Sequence, residues 1–182
     1  MSSENKTVKI LAFVGLTGAG KTTVVDYIAA KGHPKVNFNS PILERMQDLG
    51  ENEATAHQNL LSEKGQDYIV KDIIKQVHDL SDSGQHLIIS DGPLSWTEYK
   101  TLKHEFPGQV TTVAIVASKH LRHSRSSDNL SQDEIDKRDW FEIENLEKAG
   151  PIAIANYYII NDKNQDNLYQ QVDKLLQDLN FN

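Results

Sequence analysis

Residues 8–22 read VKILAFVGLTGAGKT, and this stretch decides the fold. Its first half, Val8 to Val14, is a short apolar run ending at a glycine, which reads as a strand buried on both faces and therefore central in its sheet. Its second half, Gly15-Leu16-Thr17-Gly18-Ala19-Gly20-Lys21-Thr22, fits G-x-x-x-x-G-K-[ST] between that strand and a helix. Glycines let backbone N–H groups curl around phosphate oxygens without Cβ interference, and the N-terminus of the following helix adds partial positive charge. Lys21 is then expected to reach the β- and γ-phosphates of a nucleoside triphosphate, and the Thr22 hydroxyl to ligate Mg²⁺. The helix, from Thr22 to Lys31, places Val24, Val25, Ile28 and Ala29 on one face, and Gly32 with Pro34 stops it.

Outward from this unit the chain alternates. Lys35 to Asn39, His86 to Ser90, Val110 to Ala117 and Tyr157 to Ile160 read as further strands. Pro41 to Leu49, Glu63 to Leu80, Ser95 to Phe106 and Asp166 to Leu179 read as amphipathic helices. Lys119 to Ser126 and Gln132 to Ala149 are polar helical candidates, the second ended by Gly150-Pro151. Trp96, Trp140 and Phe141 are read as core residues of such helices, and Glu44, Asp48, Glu51 and Glu53 as a solvated acidic face. Strands alternating with helices imply parallel strands joined by crossovers, a three-layer α/β domain with function at the C-terminal ends of the strands.

The 182 residues suit one domain, 1–182, with a flexible tip at about 1–6. There is no cysteine for a disulfide framework, zinc knuckle or thiol nucleophile, and no apolar run near the ~18 residues of a membrane span. Met1 to Lys9 has no signal-peptide core, so the expected setting is cytoplasmic, without a membrane partner. Nineteen Lys and Arg against 26 Asp and Glu leave −7, which disfavours nucleic acid. Only Arg45, Arg122, Arg125 and Arg138 are arginines, and three of them lie between 122 and 138.

Two elements complete the expected chemistry. Asp91 follows the 86–90 strand, so its carboxylate emerges at the same sheet edge as the phosphate loop, where it can hold Mg²⁺ or its waters. The clustered arginines suit a cationic flap, since planar guanidinium groups neutralise the charge on a transferred phosphoryl group.

In order, these segments resemble a family. A P-loop, Asn-Ser-Pro followed by Arg45 after strand two, Asp91-Gly92 after strand three, an Arg-bearing flap after strand four and Ile159-Ile160-Asn161-Asp162 after strand five look like the nucleoside monophosphate kinase and dephospho-coenzyme A kinase group. The resemblance runs from Val8 to Leu179. It implies a P-loop NTPase fold with a five-stranded parallel sheet of order 2-3-1-4-5 and a short helical lid at about 119–149. It implies ATP and Mg²⁺ as cofactors, with Gly15, Thr17, Gly18, Ala19, Gly20, Lys21, Thr22 and Thr23 on the phosphates and Asn161 near the adenine. Arg45 would face the acceptor, and Asp91 would serve metal or acceptor. Arg122, Arg125 and Arg138 would close as the lid, with Arg122 on the nucleotide and Arg138 on the acceptor side. Relatives often carry arginine shortly after the Asp-Gly pair and in the segment that here reads Leu60 to Gly65. This chain has Pro93-Leu94-Ser95 and no arginine in either place.

The expected activity is therefore transfer of the γ-phosphoryl group of Mg-ATP to a small nucleotide-like or coenzyme-like acceptor, by a monomer or homodimer. The alternatives are an ATPase or switch, and a nucleotide-binding module without transfer. A guanine-specific switch is disfavoured because Asn161-Asp162-Lys163-Asn164 scrambles the N-K-x-D order.

Overall fold

A computed structural model of the chain describes residues 7–65, 67–92, 94–125 and 131–181. The expected tip at 1–6, Pro93 and the lid residues 126–130 lie outside them. Five strands, β1 (Lys9–Val14), β2 (Lys35–Asn37), β3 (Leu87–Asp91), β4 (Val110–Val116) and β5 (Tyr157–Ile160), form one all-parallel sheet of order β2-β3-β1-β4-β5. β1 is central, pairing Ile10 with both Ile88 and Val110.

Alternation along β1 divides the core into two layers. Ile10, Ala12 and Val14 face one side, against α4 (Tyr68–Asp82) and α5 (Trp96–Glu105). Leu11 and Phe13 face the other, against α1 (Lys21–Ala29) and α9 (Gln165–Asp178). Ile69, Val70, Ile73 and Val77 form the buried stripe of α4, and Leu168, Val172, Leu175 and Leu176 that of α9. Each such side chain contributes about 1.5–3 kcal/mol on burial. The strands all end on one edge, at Val14, Asn37, Asp91, Val116 and Ile160.

The helices between β2 and β3 differ from the sequence expectation. Helix α2 (Ser40–Leu49) is followed by α3 (Glu53–Lys64), capped by the Asn52 side chain accepting from Thr55 N–H at 3.0 Å. The expected helix 63–80 corresponds to α4, which starts only at Tyr68, while α3 lies outside the expected helices but for residues 63–64. Gly65, at φ 101°, ends α3, and its N–H donates to Leu61 O at 2.9 Å. Little apolar periodicity betrays α3, which buries Ala56 and Leu60.

After β4 come α6 (Lys119–Ser124), α7 (Gln132–Glu144) and α8 (Ala149–Ala153). Helix α7 stops five residues short of Ala149, and Gly150-Pro151 lie inside α8 rather than ending a helix. A Cβ on Gly150 would stand 2.6 Å from the Trp96 ring, so only glycine lets α8 sit this close to α5. Trp140 and Phe141, expected in the core, are 59% and 49% exposed. The reason is that α7 buries a polar stripe, with Ile135, Asp139 and Glu142 on its inner side.

Candidate functional site

The loop after β1 wraps against β4, α6 and the β5–α9 connection. Gly18 (φ 77°) and Gly20 (φ 100°) adopt left-handed backbone that side chains resist. A Cβ on Gly18 would also stand 2.7 Å from Arg122 O, and one on Gly20 would run into the Asn161 side-chain amide. That amide donates to Ala19 O at 2.8 Å from a buried position. Asn161 therefore fastens the loop to the end of β5.

Lys21, at the start of α1, folds back over the loop and donates to Gly15 O at 2.7 Å. Burial, assisted by the neighbouring Lys148 ammonium, lowers its pKa to about 8, against the pull of Glu142 and Asp91. Thr22 is exposed at the helix start, and Thr23 is half-buried beside it. Asp91 ends β3 in register with Asn37. Burial pushes its carboxyl up, opposed by Lys35 and Lys21.

Helix α7 closes over this loop. Glu142 accepts from Thr17 N–H at 2.9 Å and from the Thr17 hydroxyl at 2.5 Å. The same carboxylate accepts from Lys148 Nζ at 2.7 Å. Burial works to raise the Glu142 pKa, but Lys148 and Thr17 hold it below the usual carboxylate range. Arg122, 8% exposed, donates to both Asp139 oxygens at 2.7 Å and to Thr17 O at 3.2 Å. The Asp139 pairing raises its pKa, so it stays cationic. Arg125 donates to Asn161 O at 2.9 Å and so braces the same β5–α9 turn. Arg138 is exposed on α7.

Arg45 lies apart from the loop. Its guanidinium donates to Glu51 and Glu63, both at 2.6 Å, clamping α2 to α3. Glu51 also accepts from Asn59 at 2.9 Å, so part of the expected acidic surface is committed to this clamp. Sequence reasoning overlooked Glu142 and Lys148. Within KRDWFEIENLEK they look like ordinary alternating surface charge, and the turn that brings them together has no periodic signature.

The donor set fits an anionic polyphosphate with Mg²⁺. The Thr17 amide already takes an anionic oxygen, from Glu142, and the Lys21, Lys148 and Arg122 charges meet around it. Thr22 and Asp91 offer the hard hydroxyl and carboxylate oxygens that Mg²⁺ prefers. Among the described residues no group of three or more His, Cys, Asp or Glu could hold a metal by itself. No described helix is long and apolar enough to cross a membrane.

A second concavity opens at the ends of β2 and β3. It encloses about 440 Å³ beside Phe38, whose N–H donates to Asp91 O at 2.9 Å, and beneath the turn that follows α7.

Comparison with known proteins places this geometry. No family model matches the chain. It is 28% identical over 180 residues to a UPF0200 protein of Thermococcus onnurineus, covering 92% of this chain and 96% of that one. Its fold is that of P-loop small-molecule kinases. Shikimate kinase from Bacteroides thetaiotaomicron superposes with a TM-score of 0.60 at 17% identity, covering 94% of this chain and 98% of that one. Dephospho-CoA kinase from Campylobacter jejuni gives 0.60 at 15%, covering 93% and 96%. The chain thus has a kinase-like fold, its sheet ordered 2-3-1-4-5 as in those enzymes.

Proposed function

We propose that the protein is an ATP-dependent phosphotransferase of one domain, in which 119–149 is the lid over the nucleotide. The observation that carries this reading is the convergence of Lys21, Lys148 and Arg122 on a loop whose Thr17 N–H already holds a carboxylate oxygen. On this reading Gly15 to Thr23 cradle the phosphates, and the β- and γ-phosphate oxygens take the place of the Glu142 carboxylate. Lys21, Lys148 and Arg122 then neutralise the charge that spreads over the transferring group. Bound Mg²⁺, held by Thr22 and through its waters by Asp91, would screen the phosphate oxygens.

The acceptor oxygen bonds to the γ-phosphorus as the bond to the β,γ-bridging oxygen breaks, and ADP leaves. On this reading the hydroxyl proton passes to Asp91, the half-buried carboxylate at the end of β3. Helix α7 lies over the loop and excludes water that would otherwise take the phosphoryl group. The family resemblance implies a nucleotide-like or coenzyme-like acceptor, and an acceptor would sit in the 440 Å³ concavity beside Phe38, whose N–H donates to Asp91 O.

The test is ADP release by purified protein with Mg-ATP and an acceptor panel, beside Lys21→Ala. Acceptor-dependent release that Lys21→Ala abolishes is the expected result. Hydrolysis of ATP at one rate whatever the acceptor would instead support a nucleotide switch, the reading favoured by the Glu142 contact as an element that nucleotide displaces.

A further inference from the structure

The concavity beside Phe38, next to the end of β3, has a charge that the family resemblance does not lead one to expect. Its floor is apolar, formed by Phe38, Ile42, Ile69 and Val70 from β2's end, α2 and α4. Its rim carries three carboxylates. Glu98 comes from the first turn of α5, and Glu144 and Glu147 from the end of α7 and the turn beyond it. Among the described lining residues there is no lysine or arginine; His57 is the remaining ionisable group. A phosphate or carboxylate entering here would lose water and meet carboxylates with no guanidinium or ammonium to replace its hydration.

Arg45, which would supply that cation by resemblance, is engaged elsewhere. Its fork is filled by Glu51 and Glu63, and it is absent from the lining. Pro93-Leu94-Ser95 and the Leu60 to Gly65 segment, where relatives often place an arginine, have none. Two of these carboxylates, Glu98 and Glu147, are also held in place. Glu98 accepts from Ser95 N–H at 2.8 Å in a capping box, and Glu147 accepts from the Thr97 hydroxyl at 3.0 Å. Glu147 adopts a left-handed backbone, φ 50°, and its carbonyl accepts from Trp96 N–H at 3.1 Å. Burial pushes the Glu98 carboxyl up, and the Glu147 charge adds to that in smaller part. A cation placed between the two carboxylates relieves their repulsion.

We propose that the acceptor is a small alcohol with an apolar body and a protonated amine, bearing no anionic group. The apolar body lies on the Phe38 and Ile69 floor, the ammonium meets Glu147 with Glu98 and Glu144 beside it, and the hydroxyl points toward Asp91. This rests on the reading of the cavity as the acceptor site of a phosphotransferase.

A matched series on one ring tests it: trans-4-aminocyclohexanol, trans-1,4-cyclohexanediol, trans-4-hydroxycyclohexanecarboxylate and the monophosphate of the diol. Binding is read by ligand-observed saturation-transfer NMR with titration, and transfer separately by ADP release. The amino alcohol is expected to bind at least ~5-fold tighter than the diol and ~10-fold tighter than either anion. In a Glu144→Gln/Glu147→Gln variant the margin over the diol should shrink to within about twofold. Binding of the carboxylate or the phosphate as tightly as the amine overturns the proposal, as does binding by no member of the series. Selective amine binding without ADP release leaves the site assignment standing and removes the transfer reading.

Discussion

Glu142 Oε2 accepts a hydrogen bond from the backbone N–H of Thr17 at 2.9 Å, so a residue of α7 occupies an amide of the glycine-rich loop after β1. A phosphate entering the loop must replace this carboxylate. Lys148, now paired with Glu142 at 2.7 Å, gains a new anion when it does.

Glu142→Gln should therefore tighten ATP binding by about fivefold or more, because the variant keeps the side-chain shape but removes the competing charge. The same change strips Lys148 of its buried partner and should lower nucleotide-free stability by about 1–3 kcal/mol. Calorimetric titration and urea denaturation check the two halves. Weaker ATP binding in a folded variant would contradict the first.

The Lys21 ammonium has a pKa of about 8, depressed by burial from 10.5. Between those values the unfolded chain holds a proton that the folded chain has released, so this group's contribution to stability rises with pH across that window. Nucleotide binding works the other way. It needs the charged ammonium, so ATP affinity should fall as pH rises above about 8, with proton uptake on binding. Titrations in buffers of different ionisation enthalpy measure that uptake, and Lys21→Arg, which stays charged, should lose it.

Arg122→Ala leaves Asp139 buried without its bidentate partner. The cost should be about 3 kcal/mol or more in urea denaturation. Arg122→Ala/Asp139→Ala should recover part of that stability but not nucleotide affinity. Full recovery of affinity would mean that the guanidinium acts on the phosphates only by holding α7 in place.

Gly18→Ala should abolish nucleotide binding while the protein still folds. The new methyl group meets Arg122 O and the residue is held at φ 77°, so the loop must open, at about 1–3 kcal/mol. Circular dichroism and ATP titration on one sample separate fold from binding.

Arg45→Ala should weaken the clamp between α2 and α3 and lower the melting temperature slightly, leaving the charge preference of the acceptor cavity unchanged. The melting curve and the cyclohexanol series read the two effects. A large shift in acceptor preference would place Arg45 in the site.

Where apolar periodicity carries the fold, the sequence is readable. The strand at Lys9–Val14, the stripes of α4 and α9 and the glycine-rich turn after β1 all follow from local pattern and glycine placement. The same rule misleads at α7, where Trp140 and Phe141 look like core and Asp139 and Glu142 like surface. There the burial is reversed, because the helix packs on a polar loop instead of on the sheet. Helix α3 was hidden for another reason: with Ala56 and Leu60 buried, it has too narrow an apolar stripe to stand out. The sheet order had to come from resemblance, since spacing along a chain does not say which parallel strands are neighbours. Arg45 shows the limit for single residues. Its ion pairs depend on Glu51 and Glu63 arriving from separate segments, which no local pattern records.

The carboxylate on Thr17 also sets what the loop ignores. Because Glu142 is carried on the same chain, it is always present at the loop, at an effective concentration on the order of millimolar or above. A lone anion with one phosphorus and few contacts, such as orthophosphate, has to outbid that standing occupant for a single amide. On the proposed reading a triphosphate would also engage Lys21, Lys148 and the remaining loop amides, and would so clear the threshold with contacts the tethered carboxylate cannot match. On that reading the loop would filter for the chain length of the phosphate it takes.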